Sequence, residues 1–299
     1  MKHIYILLLL LPVFLFSCRF LSSGKKGYDY CYNNGHGWYV ARYGNDPVHV
    51  YVNGNGASLS PDGTRIAYTD EGASDHARRI GVFDLEAGKV SILDSGCHNC
   101  YGPVWSPDGS HLVYNAMIGK EWGIKCVDKD NKHPVELAVV SEDLLQATRD
   151  GGGFFSPTWS ADGRKIAVQN LQGVYIFDLE GRMLRTIPFL QLDSAIQLSA
   201  QSSFFLTRKE DKLIFWGQEG VNDADAPAAV FVYDLALGKS QRISPKGYDC
   251  WRPTIVGDTV FCRGRHGNSL KENTYRMDMD GGHFKLAYRD RIDFSFAAR

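Results

Sequence analysis

Val104-Trp105-Ser106-Pro107-Asp108-Gly109-Ser110-His111-Leu112-Val113-Tyr114 is the stretch on which the fold turns. Ser58-Leu59-Ser60-Pro61-Asp62-Gly63-Thr64-Arg65-Ile66-Ala67-Tyr68 matches it upstream, and Thr158-Trp159-Ser160-Ala161-Asp162-Gly163-Arg164-Lys165-Ile166-Ala167-Val168 matches it downstream. The turn serines Ser60, Ser106 and Ser160 lie 46 and 54 residues apart. A degenerate fourth copy runs from Phe205 to Phe215 and a shortened fifth from Pro253 to Phe261. Pro61 and Pro107 preset φ at the first central turn position, aspartate follows, and the glycine after it can take a left-handed conformation. Alternating apolar residues on both sides make each copy a tight hairpin.

A second element follows each hairpin. Ile80 to Asp84, Ile124 to Asp128, Val174 to Asp178, Val230 to Asp234 and Tyr275 to Asp278 are apolar strands that end in aspartate. Polar turns come next, and a fourth strand returns, as in Val90 to Leu93 or Phe284 to Tyr288. Four strands at this period are the mark of a propeller blade. The five copies leave strands at 28–33, 37–43 and 47–53 at one end and Asp293 to Ala297 at the other. The expectation is an all-β propeller of six four-stranded blades, with five or seven as alternatives. Three N-terminal strands and one C-terminal strand would share a blade and close the ring, removing the open edge.

The repeat resembles the TolB-type propeller unit, which runs Pro-x-Trp-Ser-Pro-Asp-Gly, then Ile-Ala-Phe, then a strand ending in Asp. Pro103-Val104-Trp105 and Pro157-Thr158-Trp159 fit its opening, and the likeness covers about residues 57–290. It implies a propeller, and proteins of this type assemble with envelope partners. With the propeller read as starting directly after the tether, the separate N-terminal domain of that family is not expected here.

In such a fold the loops entering the innermost strand and those joining its second and third strands share one face. Asp70 to Arg78, Glu142 to Phe155, Trp216 to Ala228 and Arg263 to Asn273 are the longer loops, and long loops on a rigid scaffold carry function. His98, Tyr101, Arg149, Asp150, Asp193, Asp249, Trp251 and Arg252 precede the inner strands and are expected to ring the channel mouth, where they could bind a polar ligand. Gly151-Gly152-Gly153 lacks the Lys and Ser/Thr of a phosphate-binding loop. No Gly-x-Ser-x-Gly elbow and no His-Glu-x-x-His appears, and the histidines are scattered. The expected role is therefore a non-catalytic scaffold for an envelope protein, a peptide or a glycan, without cofactor or metal. The alternative is a metal-dependent propeller lyase or lactonase working in the channel.

The N-terminus fixes the expected compartment. Lys2 and His3 precede an apolar run from Ile4 to Phe16, about 20 Å as a helix and too short for a hydrocarbon core of about 30 Å. A charged start and short apolar segment describe a secretory signal over residues 1–17. Leu15-Phe16-Ser17-Cys18 resembles the bacterial lipoprotein signal, which implies lipidation of Cys18 and a membrane anchor. Residues 18–27 form the lipidated cysteine and tether, and 28–299 the propeller. Arg19 in place of an inner-membrane retention aspartate favours the periplasmic face of an outer membrane or the cell surface. Loss of Lys2 with the signal moves the formal net charge from −1 to −2, which leaves no basic excess for nucleic acid. A monomer is expected.

Six further cysteines in an exported chain permit disulfides. Cys250 and Cys262 flank the Val256-Gly257 turn and could face each other. Cys97-His98-Asn99-Cys100 has Tyr101 where haem attachment needs histidine, no βαβ setting for a redox pair, and no second C-x-x-C for zinc. A disulfide that staples the loop is the simplest reading.

Overall fold

The repeated turn is knit by its own side chains. Ser60, Ser106 and Ser160 each donate from Oγ to Oδ1 of the aspartate two residues on, at 2.6 Å. Each hydroxyl also accepts from the backbone N–H five residues on, at 2.9 Å. The glycine after each aspartate sits at φ of 72°, 72° and 69°, the region where a side chain is strained. All three serines are buried. The Ser106 hydrogen bond is the largest influence on Asp108, and with Ser110 it brings the carboxyl down to about 2. Asp162 is lowered for the same reason, by Ser160. The degenerate fourth copy keeps the chemistry with a shift: Thr207 Oγ1 donates to Asp211 at 2.8 Å, and Glu210 takes the left-handed position at φ 55°.

The computed structural model describes residues 27–71, 77–93, 97, 99–129, 135–138, 153–220 and 226–297, and their strands form six sheets. Blade 1 holds β1 (Tyr30–Asn33), β2 (Trp38–Ala41) and β3 (Val48–Val50). Blade 2 holds β4 (Gly54–Leu59), β5 (Arg65–Asp70), β6 (Arg79–Asp84) and β7 (Lys89–Leu93). Blade 3 holds β8 (Cys100–Trp105), β9 (His111–Ile118), β10 (Glu121–Asp128) and β11 (Val135–Ala138). Blade 4 holds β12 (Phe155–Trp159), β13 (Lys165–Gln169), β14 (Gly173–Asp178) and β15 (Met183–Pro188), followed by a helical turn, α1 (Phe189–Leu192). Blade 5 holds β16 (Ile196–Gln197), β17 (Phe205–Leu206), β18 (Lys212–Glu219), β19 (Ala228–Asp234) and β20 (Lys239–Arg242). Blade 6 holds β21 (Tyr248–Val256), β22 (Thr259–His266), β23 (Asn273–Asp278) and β24 (Lys285–Arg289). The last strand, β25 (Ile292–Phe296), returns to blade 1 and pairs antiparallel with β1, Tyr30 opposite Phe296 and Cys31 opposite Ser295. The propeller is six-bladed and its ring is closed by both ends of the chain, as expected.

Tertiary roles explain why the motif contains what it does. Trp105 and Trp159 donate from Nε1 to the carbonyls of Ser58 and Val104 in the preceding blade, so each conserved-looking indole of the repeat is an inter-blade tie. The strand-ending aspartates cap the outer turns: Asp84, Asp178 and Asp234 each accept two backbone N–H groups of the turn that follows. Apolar clusters fill the wedges between neighbouring blades, for example Phe204, Phe215 and Phe231 stacked at 5.3 and 5.5 Å between blades 4 and 5. The seam between blades 6 and 1 is aromatic instead, with Phe261 on Phe296 at 4.8 Å and Tyr288 on Phe294 at 4.6 Å.

Three details depart from the sequence expectations. The hairpins of blades 5 and 6 run further: Trp216–Glu219 and Arg263–His266 lie in strands rather than loops, because Gln218 pairs with Ala228 and Gly264 with Asn273. The inner strand of blade 5 is broken between β16 and β17, where Gln169 Nε2 ties the Ser199 and Ser202 carbonyls. Cys250 and Cys262 are free buried thiols. A β-bulge between Trp251 and Thr254 sets Cys250 opposite Gly264, while Cys262 pairs with Tyr275 on the other side, so the two are diagonal neighbours.

Candidate functional site

Five of the six inner strands carry an irregularity near their entry, and the residue there bends the strand through a positive φ. The positions are Gly56 (57°), Gly102 (64°), Ser156 (54°), Arg252 (49°) and Asp293 (52°). Bulges of this kind aim side chains and collect near functional sites. Blades 2 and 3 use glycine at no steric cost. Blades 4, 6 and 1 hold Ser156, Arg252 and Asp293 in a conformation that costs an L-residue roughly 1–3 kcal/mol, so those three side chains are placed at the channel mouth against the backbone's preference.

Arg252 and Asp293 meet: Nη1 of Arg252 donates to Oδ1 of Asp293 at 3.2 Å, and Nη2 donates to Oε1 of Gln201 at 3.1 Å. Arg263 reaches the same Asp293 oxygen at 3.1 Å and also pairs with Glu272. Arg265 pairs with Asp249, Nε to Oδ2 at 2.8 Å, while the Asp249 Oδ1 accepts from the Ala228 N–H. The guanidiniums of Arg263 and Arg265 lie 5.7 and 5.8 Å from the Trp251 ring, a cation–π setting. Together with Trp216, whose Nε1 donates to the Gln201 carbonyl, all of these groups except Asp293, which pairs with two of its arginines, line an open cleft of about 430 Å³ between blades 5 and 6. Three arginines stand against three carboxylates, so the cleft is close to neutral. It offers two indole faces, amide groups and rigid charged hydrogen-bond donors. That suits a polar ligand with stackable apolar faces.

Of the rim residues expected from sequence, the structure brings Asp249, Trp251 and Arg252 together in this cleft. Tyr101 belongs to a separate cluster between blades 2 and 3. Its half-buried ring meets Trp122 edge-on at 5.1 Å and lies under the Arg78 guanidinium at 4.5 Å. Burial raises the Tyr101 hydroxyl pKa, with Arg78 opposing. Asp193 joins neither group; its Oδ1 accepts from the Ala195 N–H in the turn after α1. His98, Arg149, Asp150 and the lipidation candidate Cys18 lie outside the described residues. Gln201, Trp216, Arg263, Arg265, Glu272 and Asp293 were not singled out from sequence. Arg252 and Ser156 occupy the place of Gly102 in the aligned copies, and that substitution was a readable signal.

Cys97 and Cys100 are joined by a disulfide. Burial pushes the Cys31 and Cys126 thiols up to about 12, and contact with Cys250 followed by burial raises Cys262, so these thiols are held protonated and unreactive. Among the described residues no group of three or more His, Cys, Asp or Glu side chains is placed to hold a metal ion.

No protein-family model and no curated protein matches the chain. Solved structures do. TolB from Acinetobacter baumannii is 16% identical with a TM-score of 0.61, over 91% of this chain and 67% of that one. The putative TolB from Agrobacterium tumefaciens is 15% identical with a TM-score of 0.57, over 81% and 82%. The chain has a TolB-like propeller fold. Oligogalacturonate lyase from Vibrio parahaemolyticus has the same architecture at 14% identity and a TM-score of 0.52, over 79% of this chain and 65% of that one. At these identities the likeness extends to the fold alone.

Proposed function

We propose that this protein is an exported, lipid-anchored envelope propeller that binds a peptide, protein segment or glycan in the cleft between blades 5 and 6 without turning it over. The observation that carries the reading is the cleft itself: Trp251 with the Arg263 and Arg265 guanidiniums against its ring, and Arg252 and Asp293 fixed in costly backbone conformations at its mouth. Every charged group there is already paired, so what the cleft presents is shape, aromatic surface and hydrogen bonds rather than a reactive centre. The secretory start and Cys18 support the envelope placement.

Trp251→Ala tests it. Removing an aromatic anchor that a ligand would bury costs about 2 kcal/mol or more, roughly thirtyfold in affinity. Native envelope extract passed over the full lipidated protein, with a glycan array alongside, should yield a defined ligand whose binding falls by about that factor in the variant, with unchanged thermal stability. Binding that is equal in the two proteins would remove the cleft from the account.

A further inference from the structure

We infer that Arg78 is a second anchor at the channel mouth and that it takes a carboxylate. The argument starts from how its side chain is held. The guanidinium lies over the Tyr101 ring at 4.5 Å and the Trp122 ring at 5.4 Å, and its Nε donates to Oδ1 of Asn99 at 2.9 Å. Those contacts fix the plane of the group and use one of its donors. The two terminal amino groups, Nη1 and Nη2, make no hydrogen bond to the described residues. The contrast with blade 6 is direct. Arg252, Arg263 and Arg265 each have a carboxylate partner, whereas Arg78 has none among the described residues.

The surroundings are built to keep it there. The Arg78 carbonyl accepts from the Cys100 N–H at 2.8 Å, which ties the residue to the inner strand of the next blade. Asn99 stands inside the Cys97–Cys100 disulfide loop at φ 65°, and its carbonyl accepts from the Met117 N–H at 3.3 Å. The C-x-x-C staple thus has a use: it holds the amide that orients the arginine. A guanidinium flattened on aromatic rings, with its outer edge unbonded by the described residues, is preorganised for two-point recognition of a planar anion. Among the described residues no lysine and no second guanidinium is paired with the group, and one arginine matches a single negative charge, which points to a carboxylate rather than a phosphate.

Position strengthens the case. In a ring of six blades the junction of blades 2 and 3 lies opposite the junction of blades 5 and 6, on the same long-loop face. A ligand resting its stackable portion in the Trp251 cleft and extending over the mouth would bring an acidic group to Arg78. This deepens the binding reading above and rests on it for the shared face, but the two can fail separately.

Calorimetry on the full chain would use two probe pairs: tetragalacturonate against its methyl ester, and an alanine pentapeptide with a free C-terminus against its amide. The pairs separate a sugar acid from a peptide terminus as the source of the carboxylate. One acid form should bind, and its ester or amide should bind about tenfold or more weakly, the size expected for a charged hydrogen-bond pair. Arg78→Gln should lose that factor and abolish the discrimination, Arg78→Lys should keep part of it, and Asn99→Ala should weaken it with the ring stack intact. Melting curves within a few degrees of the parent would exclude misfolding. Absence of binding by both acid forms overturns the proposal, as does Arg78→Gln discriminating like the parent. Loss in Trp251→Ala but not in Arg78→Gln leaves the cleft and removes this anchor; the reverse leaves the anchor and removes the cleft.

Discussion

Ending the chain at Asp290 is expected to lower stability by at least about 5 kcal/mol, or about 10 °C in melting midpoint, and to make the protein aggregate. The change deletes only Arg291, β25 and the last three residues, yet it removes the inner strand of blade 1. Phe294 and Phe296 leave a cluster with Tyr30, Tyr32 and Tyr288, and the Phe261 contact across the seam goes with them. The Leu59 N–H loses its bond to Ser295 Oγ, and Arg252 and Arg263 lose Asp293. What remains is an unpaired β1 edge facing the channel, which is the template for strand addition by a second chain. Scanning fluorimetry and size-exclusion chromatography would measure both consequences. A truncated chain that melts with the parent as a monomer would mean that β25 contributes little.

Gly63→Ala is the second large effect, expected at about 3 kcal/mol. Gly63 lies at φ 72°, and a Cβ built there would stand 1.9 Å from the Tyr28 carbonyl oxygen and 2.6 Å from its nitrogen. Backbone on both sides leaves no flexible side chain to yield, and the Tyr28 N–H already donates to the Gly63 carbonyl at 2.8 Å. The equivalent Gly109 has the same φ of 72°, but its nearest neighbour is Pro61 Cδ at 3.3 Å. Gly109→Ala should therefore show the conformational cost alone, about 1 kcal/mol. Denaturant unfolding of the two variants separates conformation from collision. Equal losses would mean that the Tyr28 contact is not made.

The fold was legible in the sequence because its decisive interactions are local. The bonds within the Ser-Pro-Asp-Gly turn span two to five residues, and the capping aspartates reach two to four, so the same chemistry recurs as the same letters. The fourth copy was harder because Asp211 does the work of Asp62 from two positions later, with Glu210 forced into the glycine place. The cleft is the opposite case. Arg252 meets Gln201 across 51 residues and Asp293 across 41, and Arg263 meets Asp293 across 30, so nothing periodic announces the constellation. Strand register decides it, as it decides that Cys250 faces Gly264 and not Cys262. Arg78 was hidden differently: it sits at the end of a loop, and only the approach of Tyr101 and Trp122 from the next blade makes it more than a surface charge.

Pairing of β1 with β25 is the contact on which the closed ring depends, and Cys31 makes it directly measurable. Cys31 stands opposite Ser295 in the register, both at the blade 1–2 wedge, with the Cys31 thiol against the Ser295 backbone. In the full-length Ser295→Cys variant, refolding in a glutathione redox buffer, which leaves both thiols accessible until the strands pair, followed by peptide mapping under alkylation should recover Cys31 linked to the introduced thiol within one chain. Recovery of Cys31 and the introduced thiol as separate alkylated peptides from folded, oxidised monomer would contradict the closed six-bladed ring.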